Sequence, residues 1–286
     1  MLVSNLNQVD LISLSLITMS NKLPKPPKQE QRKCVFCKGL PLTREHIFPD
    51  WLKSVLNIDF SLNKVADRTS IDFLPDKVIF RPDTNKKNGP LFSHKLLIVC
   101  AKCNNGWMSV LQQETKPILT SLIKDNNITL TTDDIAKLNL WIVMTTMVAE
   151  FDDEAKKRIP LAQLREFQDN KQVPKNWKIW IGRNPPNNDR HTHIHHDFIE
   201  FESLQYVKKY AQTTMIIMGN LIMFVMSTNS NKFFESYSNN SLQYLKQIHP
   251  SSSPIFENSS LNWHNLPSIA EEEILNLRNM LNILDM

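Results

Sequence analysis

All four cysteines of the chain fall into two pairs, Cys34-Val-Phe-Cys37 and Cys100-Ala-Lys-Cys103. A two-residue spacing turns both sulfurs of a knuckle toward one tetrahedral ion, and two knuckles complete a four-cysteine zinc site at Cys34, Cys37, Cys100 and Cys103. Sixty-two residues lie between Cys37 and Cys100, so the ion would close a long loop whose closure entropy otherwise opposes folding. The stretch LISLSLITM near the start lacks a preceding Lys or Arg and a small-residue cleavage site, and reads as neither signal peptide nor membrane helix. Residues 1–18 read as a loose extension ahead of Met19. Paired CxxC motifs without a secretory signal predict a reducing compartment and metal rather than disulfides, hence a cytoplasmic protein. With four sulfurs filling its coordination sphere such a zinc ion is structural and cannot activate water. Any chemistry must therefore lie beside it.

The chain has 286 residues, 41% of them apolar, enough for two domains or one large one with real cores. No apolar run reaches the length needed to cross a bilayer. The net charge of +4 says little, but its distribution says more. Between Lys22 and Arg44 stand seven basic residues against one acid, Glu30, a local bias that suits a polyanionic partner.

Residues 1–33 read as a flexible basic arm, rich in Pro, Lys and Gln from residue 19 onward. A unit bounded by the two CxxC pairs follows over 34–125. It contains a helix-like segment at 49–58, a strand at 77–82, a turn at 85–90, a strand at 95–100 and a helix at 107–123 that Pro117 bends or ends. Residues 126–286 read as an α+β domain with a mostly antiparallel sheet. Thr131 and the two acids after it predict an N-cap for a long apolar helix over 135–151. Residues 160–168, 241–248 and 269–284 read as further helices. Strands are predicted at 177–182, 191–201, 213–218 and 221–227, the last two joined by a Gly219-Asn220 hairpin turn.

Between the cysteine pairs stands Glu45-His46-Ile-Phe-Pro49, and Asn104 follows the last cysteine directly. This order resembles the His-Asn-His (HNH) endonucleases, a ββα-metal family built on a treble-clef zinc scaffold, over about residues 34–115. The resemblance implies that Glu45 and Asn104 hold one divalent ion, magnesium or manganese, while His46 is the general base for hydrolysis of a DNA phosphodiester. A carboxylate and an amide oxygen are hard ligands suited to such an ion, and an imidazole titrates where a base is useful. Arg44, Lys33 and Lys38 are the candidates for contacts to substrate phosphates. The chain departs from the family pattern in three places. The acid is Glu rather than Asp, the middle Asn has no match (His94 or Lys95 falls nearby), and Trp107 and Met108 stand where many members have another His. These departures keep open a catalytically inactive zinc module that binds nucleic acid or a protein partner.

Pro49, Trp51 and Leu52 read as packing residues rather than base-stacking ones, and Trp107 reads as core. His191, His193 and His195 alternate and would share one face of a strand, but Asp197, Ile199 and Phe201 continue the same parity, as in an ordinary strand. The C-terminal domain offers no phosphate-cradling glycine loop, and it is expected to choose the target, a protein partner or a second copy of the chain.

Overall fold

A computed structural model describes residues 32–56, 67–73, 78–82, 93–152, 157–185, 191–201, 208–229, 234, 240–250 and 260–278. The chain divides into Met1–Arg32 and Lys33–Met286, and the second unit holds all the elements that follow. Of the arm expected over residues 1–33, residues 1–31 lie outside the described residues, as does the turn at 85–90.

Strand β1 (Leu42–His46) pairs antiparallel with β4 (Lys95–Cys100) as a two-stranded sheet. Between them come α1 (Leu52–Leu56), β2 (Asp67–Phe73) and β3 (Val78–Pro82). After β4 the chain turns directly into α2 (Ala101–Cys103), a π turn (Asn104–Met108) and α3 (Ser109–Ile123). Next follow β5 (Thr129–Leu130), α4 (Thr132–Ala149) and α5 (Leu161–Asn170). The remaining strands are β6 (Trp177–Arg183), β7 (His191–Phe201), β8 (Lys208–Met218), β9 (Leu221–Thr228), β10 (Lys246–His249) and β11 (Leu261–Asn262), with α6 at Glu271–Arg278. The molecule is thus a mixed, mostly antiparallel α+β structure.

Seven strands form the large sheet in the order β10-β6-β9-β8-β7-β2-β3, antiparallel except for the β2–β7 pair. Two strands from the stretch between the cysteine pairs therefore belong to the same sheet as β6 to β10. The apolar run of β9 is buried along its whole length because both sheet faces are covered. Met223 and Val225 pack into the core that holds α3 and α4, while Ile222 and Phe224 face a second cluster with Ile274 and Leu277 of α6. Helix α4 starts on a capping box in which Thr131 and Asp134 each satisfy the other's backbone N–H.

Two expectations are corrected. Helix α3 does not end at Pro117 but runs on to Ile123, the exposed proline costing it one backbone bond. Residues 241–248 are not a helix: a short 3-10 turn at Asn240–Tyr244 leads into β10, which pairs with the open edge of β6. Burial of Leu245 and Ile248 outweighs local preference there. The predicted N-cap, the helix at 160–168 and the hairpin at Gly219-Asn220 stand as expected.

Helix α3 connects the cysteines to the sheet. Its last turn delivers the Ile123 carbonyl, which accepts from Asn220 N at 3.1 Å and Asn220 Nδ2 at 3.0 Å, both from the β8–β9 turn. Just beyond it Asp125, at φ 56°, receives Arg183 Nε at 3.1 Å, Arg183 Nη2 at 2.7 Å and Trp263 Nε1 at 2.8 Å. An orphan carbonyl at a helix end is thereby satisfied by the sheet's own hairpin.

Candidate metal centre and the residues beside it

The four cysteine sulfurs all lie within 4.8 Å of one another, and Cys37 Sγ stands 3.4 Å from Cys100 Sγ. Four sulfurs each about 2.3 Å from a tetrahedral zinc ion stand about 3.8 Å apart, so this donor set fits that ion. The first knuckle is closed by Lys38 N donating to Cys34 O at 2.9 Å and Cys34 N to Gly39 O at 3.2 Å, with Lys38 at φ 61°. Gly39 N donates to Cys37 Sγ at 3.3 Å, and a Cβ on Gly39 would stand 3.1 Å from that sulfur. The backbone is therefore drawn close to the thiols, where a side chain would crowd the Cys37 sulfur. Burial pushes the Cys103 and Cys37 thiols up. Burial also opposes ionisation of Cys100, but the backbone N–H of Cys103 and the neighbouring sulfurs outweigh it and bring that thiol down to about 7.

Glu45 and Asn104 meet beside this cluster. Glu45 is 6 % exposed and accepts from Gln112 Nε2 at 3.2 Å. Burial pushes its carboxyl up to about 7, against the pull of the Gln112 and Asn104 amides. Asn104, in the first turn after Cys103, also donates through Nδ2 to Thr43 Oγ1 at 3.1 Å, and Thr43 Oγ1 in turn donates to Val99 O at 3.1 Å. Thr43 and Glu45 are two apart on β1 and so share a face, the one that looks onto Asn104 and α3.

His46 occupies the other face. It stands opposite Lys95 in the ladder, as Arg44 stands opposite Leu97, and Arg44, Lys95 and Leu97 are all exposed. His46 Nε2 lies 3.8 Å from Asp50 Oδ1, and Asp50 is held by Lys53 Nζ at 2.5 Å. Burial first, then the Lys95 ammonium, lowers the His46 imidazole below its ordinary range, which keeps it neutral at pH 7. Lys33 and Lys38 are exposed around the first knuckle. His94 Nδ1 lies 3.9 Å from Asp152 Oδ2, and the His94 carbonyl accepts from Ile47 N at 3.1 Å.

Pro49 and Leu52 are buried, and Trp51 carries Lys116 Nζ 5.5 Å from its ring. Trp107 packs edge-on between Phe36 and Phe167. The histidines at 191, 193 and 195 lie in β7 opposite Met218, Ile216 and Thr214.

Sequence reasoning missed Gln112, Thr43, Asp50 and Lys95. Gln112 lay within reach of a helical-face argument, two turns on from Asn104. Lys95 could be placed opposite His46 only by a ladder register that no local pattern specifies.

No protein-family model, curated protein or solved structure matches the chain. Among the described residues no helix is long and apolar enough to cross a membrane.

Proposed function

We propose that this chain is a metal-dependent HNH-type endonuclease that hydrolyses phosphodiester bonds in DNA, leaving 3′-hydroxyl and 5′-phosphate ends. One observation carries the reading. A buried carboxylate, Glu45, and the Asn104 amide converge next to a four-thiol cluster, at the junction of a two-stranded antiparallel sheet and a helix. The order of thiol knuckle, strand pair and helix supports a ββα-metal, treble-clef arrangement for the cysteine-bearing part.

In this reading zinc on the four cysteines fixes the start of α2, and with it Asn104. Glu45 and Asn104 supply the hard oxygens for magnesium or manganese. When bound, that ion neutralises charge on the scissile phosphate and the leaving oxygen. His46, neutral at pH 7, takes a proton from water through an imidazole steadied by Asp50. Arg44 and Lys95 flank it on the exposed face and balance phosphate charge, and Lys33 and Lys38 extend the basic surface.

A second reading rests on the outward placement of His46 and the inward placement of Glu45. In it the same exposed strip binds nucleic acid without cutting. Plasmid nicking with magnesium or manganese, wild type against His46→Ala and Glu45→Ala, tests the first reading. Cleavage by wild type alone is expected. Salt-sensitive duplex binding with no cleavage by any form overturns it in favour of the second.

A further inference from the structure

The four thiols are not equally placed. Cys34, Cys100 and Cys103 are 2 %, 1 % and 2 % exposed, whereas Cys37 is open to solvent. Cys37 Sγ stands 3.4 Å from Cys100 Sγ, a sulfur of the other knuckle. Both lie against half-exposed Gly39. A Cβ there would come 3.1 Å from the first sulfur and 3.5 Å from the second, so no side chain shields the pair on that side. We propose that Cys37 is a site of oxidation by peroxide and that Cys100 resolves it, so that a disulfide between the knuckles takes over the closure of the loop from the metal ion.

Sulfurs that hold a metal ion do so as thiolates, which are also the nucleophilic form. An oxidant arriving from solution meets Cys37, while the other three are covered. The Cys37 thiolate attacks one oxygen of hydrogen peroxide, the O–O bond breaks, a sulfenic acid forms and hydroxide leaves. The Cys100 thiolate then attacks the Cys37 sulfur and displaces a second hydroxide. Two electrons pass from the sulfurs to the peroxide, and two thiolates with one peroxide become one disulfide and two hydroxides. The sulfurs close by about 1.4 Å to reach disulfide length.

Which pair forms decides what becomes of the fold. A bond within either knuckle would leave Cys37 and Cys100, sixty-two residues apart, untied once the ion is lost. A Cys37–Cys100 bond keeps that loop closed by itself. It also joins segments that are already paired, since Val35 N donates to Ile98 O at 3.0 Å. At the same time it withdraws two of the four donors, and Cys34 and Cys103 alone are too few for a structural zinc site. The metal is released and the backbone frame stays. The inference does not depend on the nuclease reading.

The test uses the full chain loaded with zinc and treated with hydrogen peroxide in the presence of a chromophoric chelator. Zinc release should keep pace with the loss of two of the four thiols, in a product two hydrogens lighter. Proteolysis without reductant should give one cross-linked pair of peptides, carrying Cys37 and Cys100. Far-ultraviolet circular dichroism should stay that of the untreated chain, and dithiothreitol with zinc should restore four thiols and the bound ion. Cys37→Ser should lose thiols about 10-fold more slowly than wild type. Should that variant fail to fold, the wild-type peptide map carries the test. A first bond within either knuckle or between two chains, an over-oxidised Cys37 without a disulfide, or four thiols surviving excess peroxide would overturn the proposal. A folded Cys37→Ser that oxidises at the wild-type rate would do the same, as would a wild-type chain that takes up no zinc.

Discussion

Glu45 and His46 are neighbours in β1 and project from opposite faces of it: the carboxylate is buried against Gln112 of α3, the imidazole looks outward beside Lys95. Everything expected of the candidate site follows from this division into an inner acid and an outer basic strip.

The inner acid is costly without a cation. Its folded-state pKa of about 7 stands above the ordinary glutamate value of about 4.3. The protonated carboxyl is favoured by folding, so that stability is complete below about pH 4 and is lost as the pH rises through 7. Glu45→Gln keeps a neutral group of the same shape. In chelator, thermal melts should show the variant more stable than wild type at pH 8 and equal to it at pH 4, with magnesium raising wild type alone.

The outer strip predicts a polyanion response. Reversing Arg44 and Lys95 to Glu should weaken duplex DNA binding and lower the slope of log affinity against log salt by about 2. His46→Ala should leave that slope unchanged. An unaltered slope in the double variant would remove the strip from the binding surface.

Asp125 predicts an acid limb. Burial raises its carboxyl, but the Arg183 fork, the Trp263 indole and His264 outweigh this and hold it below the usual range. A depressed carboxyl stabilises the fold above its unfolded value of about 3.9, and the gain is lost as the pH falls through the folded value. Asp125→Asn should cost about 2 kcal/mol at pH 7 in denaturant unfolding, and its gap from wild type should close below about pH 4.

Gly219 turns the β8–β9 hairpin at φ 55°, and a Cβ there would come 2.7 Å from the Ile123 carbonyl oxygen. That oxygen is backbone and cannot swing aside. Gly219→Ala should destabilise by about 1–3 kcal/mol, whereas Gly106→Ala, where a Cβ would meet nothing within 4 Å, should cost less.

The features legible in the sequence were those whose cause is local. Cys34, Cys37, Cys100 and Cys103 announced a shared site through their spacing, Thr131 and Asp134 announced a helix start, and Gly219-Asn220 announced a turn. Asn104 could be set near Glu45 only through a family resemblance, and the structure brings their side chains together. What escaped depends on distant partners. The segment at 241–248 becomes β10 because β6 offers it a ladder, and Gln112 finds Glu45 across 67 residues of sequence.

The helical run that begins at Cys103 with the π turn and continues as α3 finishes buttoned to the turn of a β-hairpin, Asn220 holding Ile123 across 97 positions of sequence. The two halves of the chain are therefore poor material for recombination. Grafting residues 34–125 onto another protein would strip Ile123 of both amides that hold it and would take two strands from the sheet left behind. Variation in such a lineage should concentrate at sheet edges and connecting loops, and spare the splice between them.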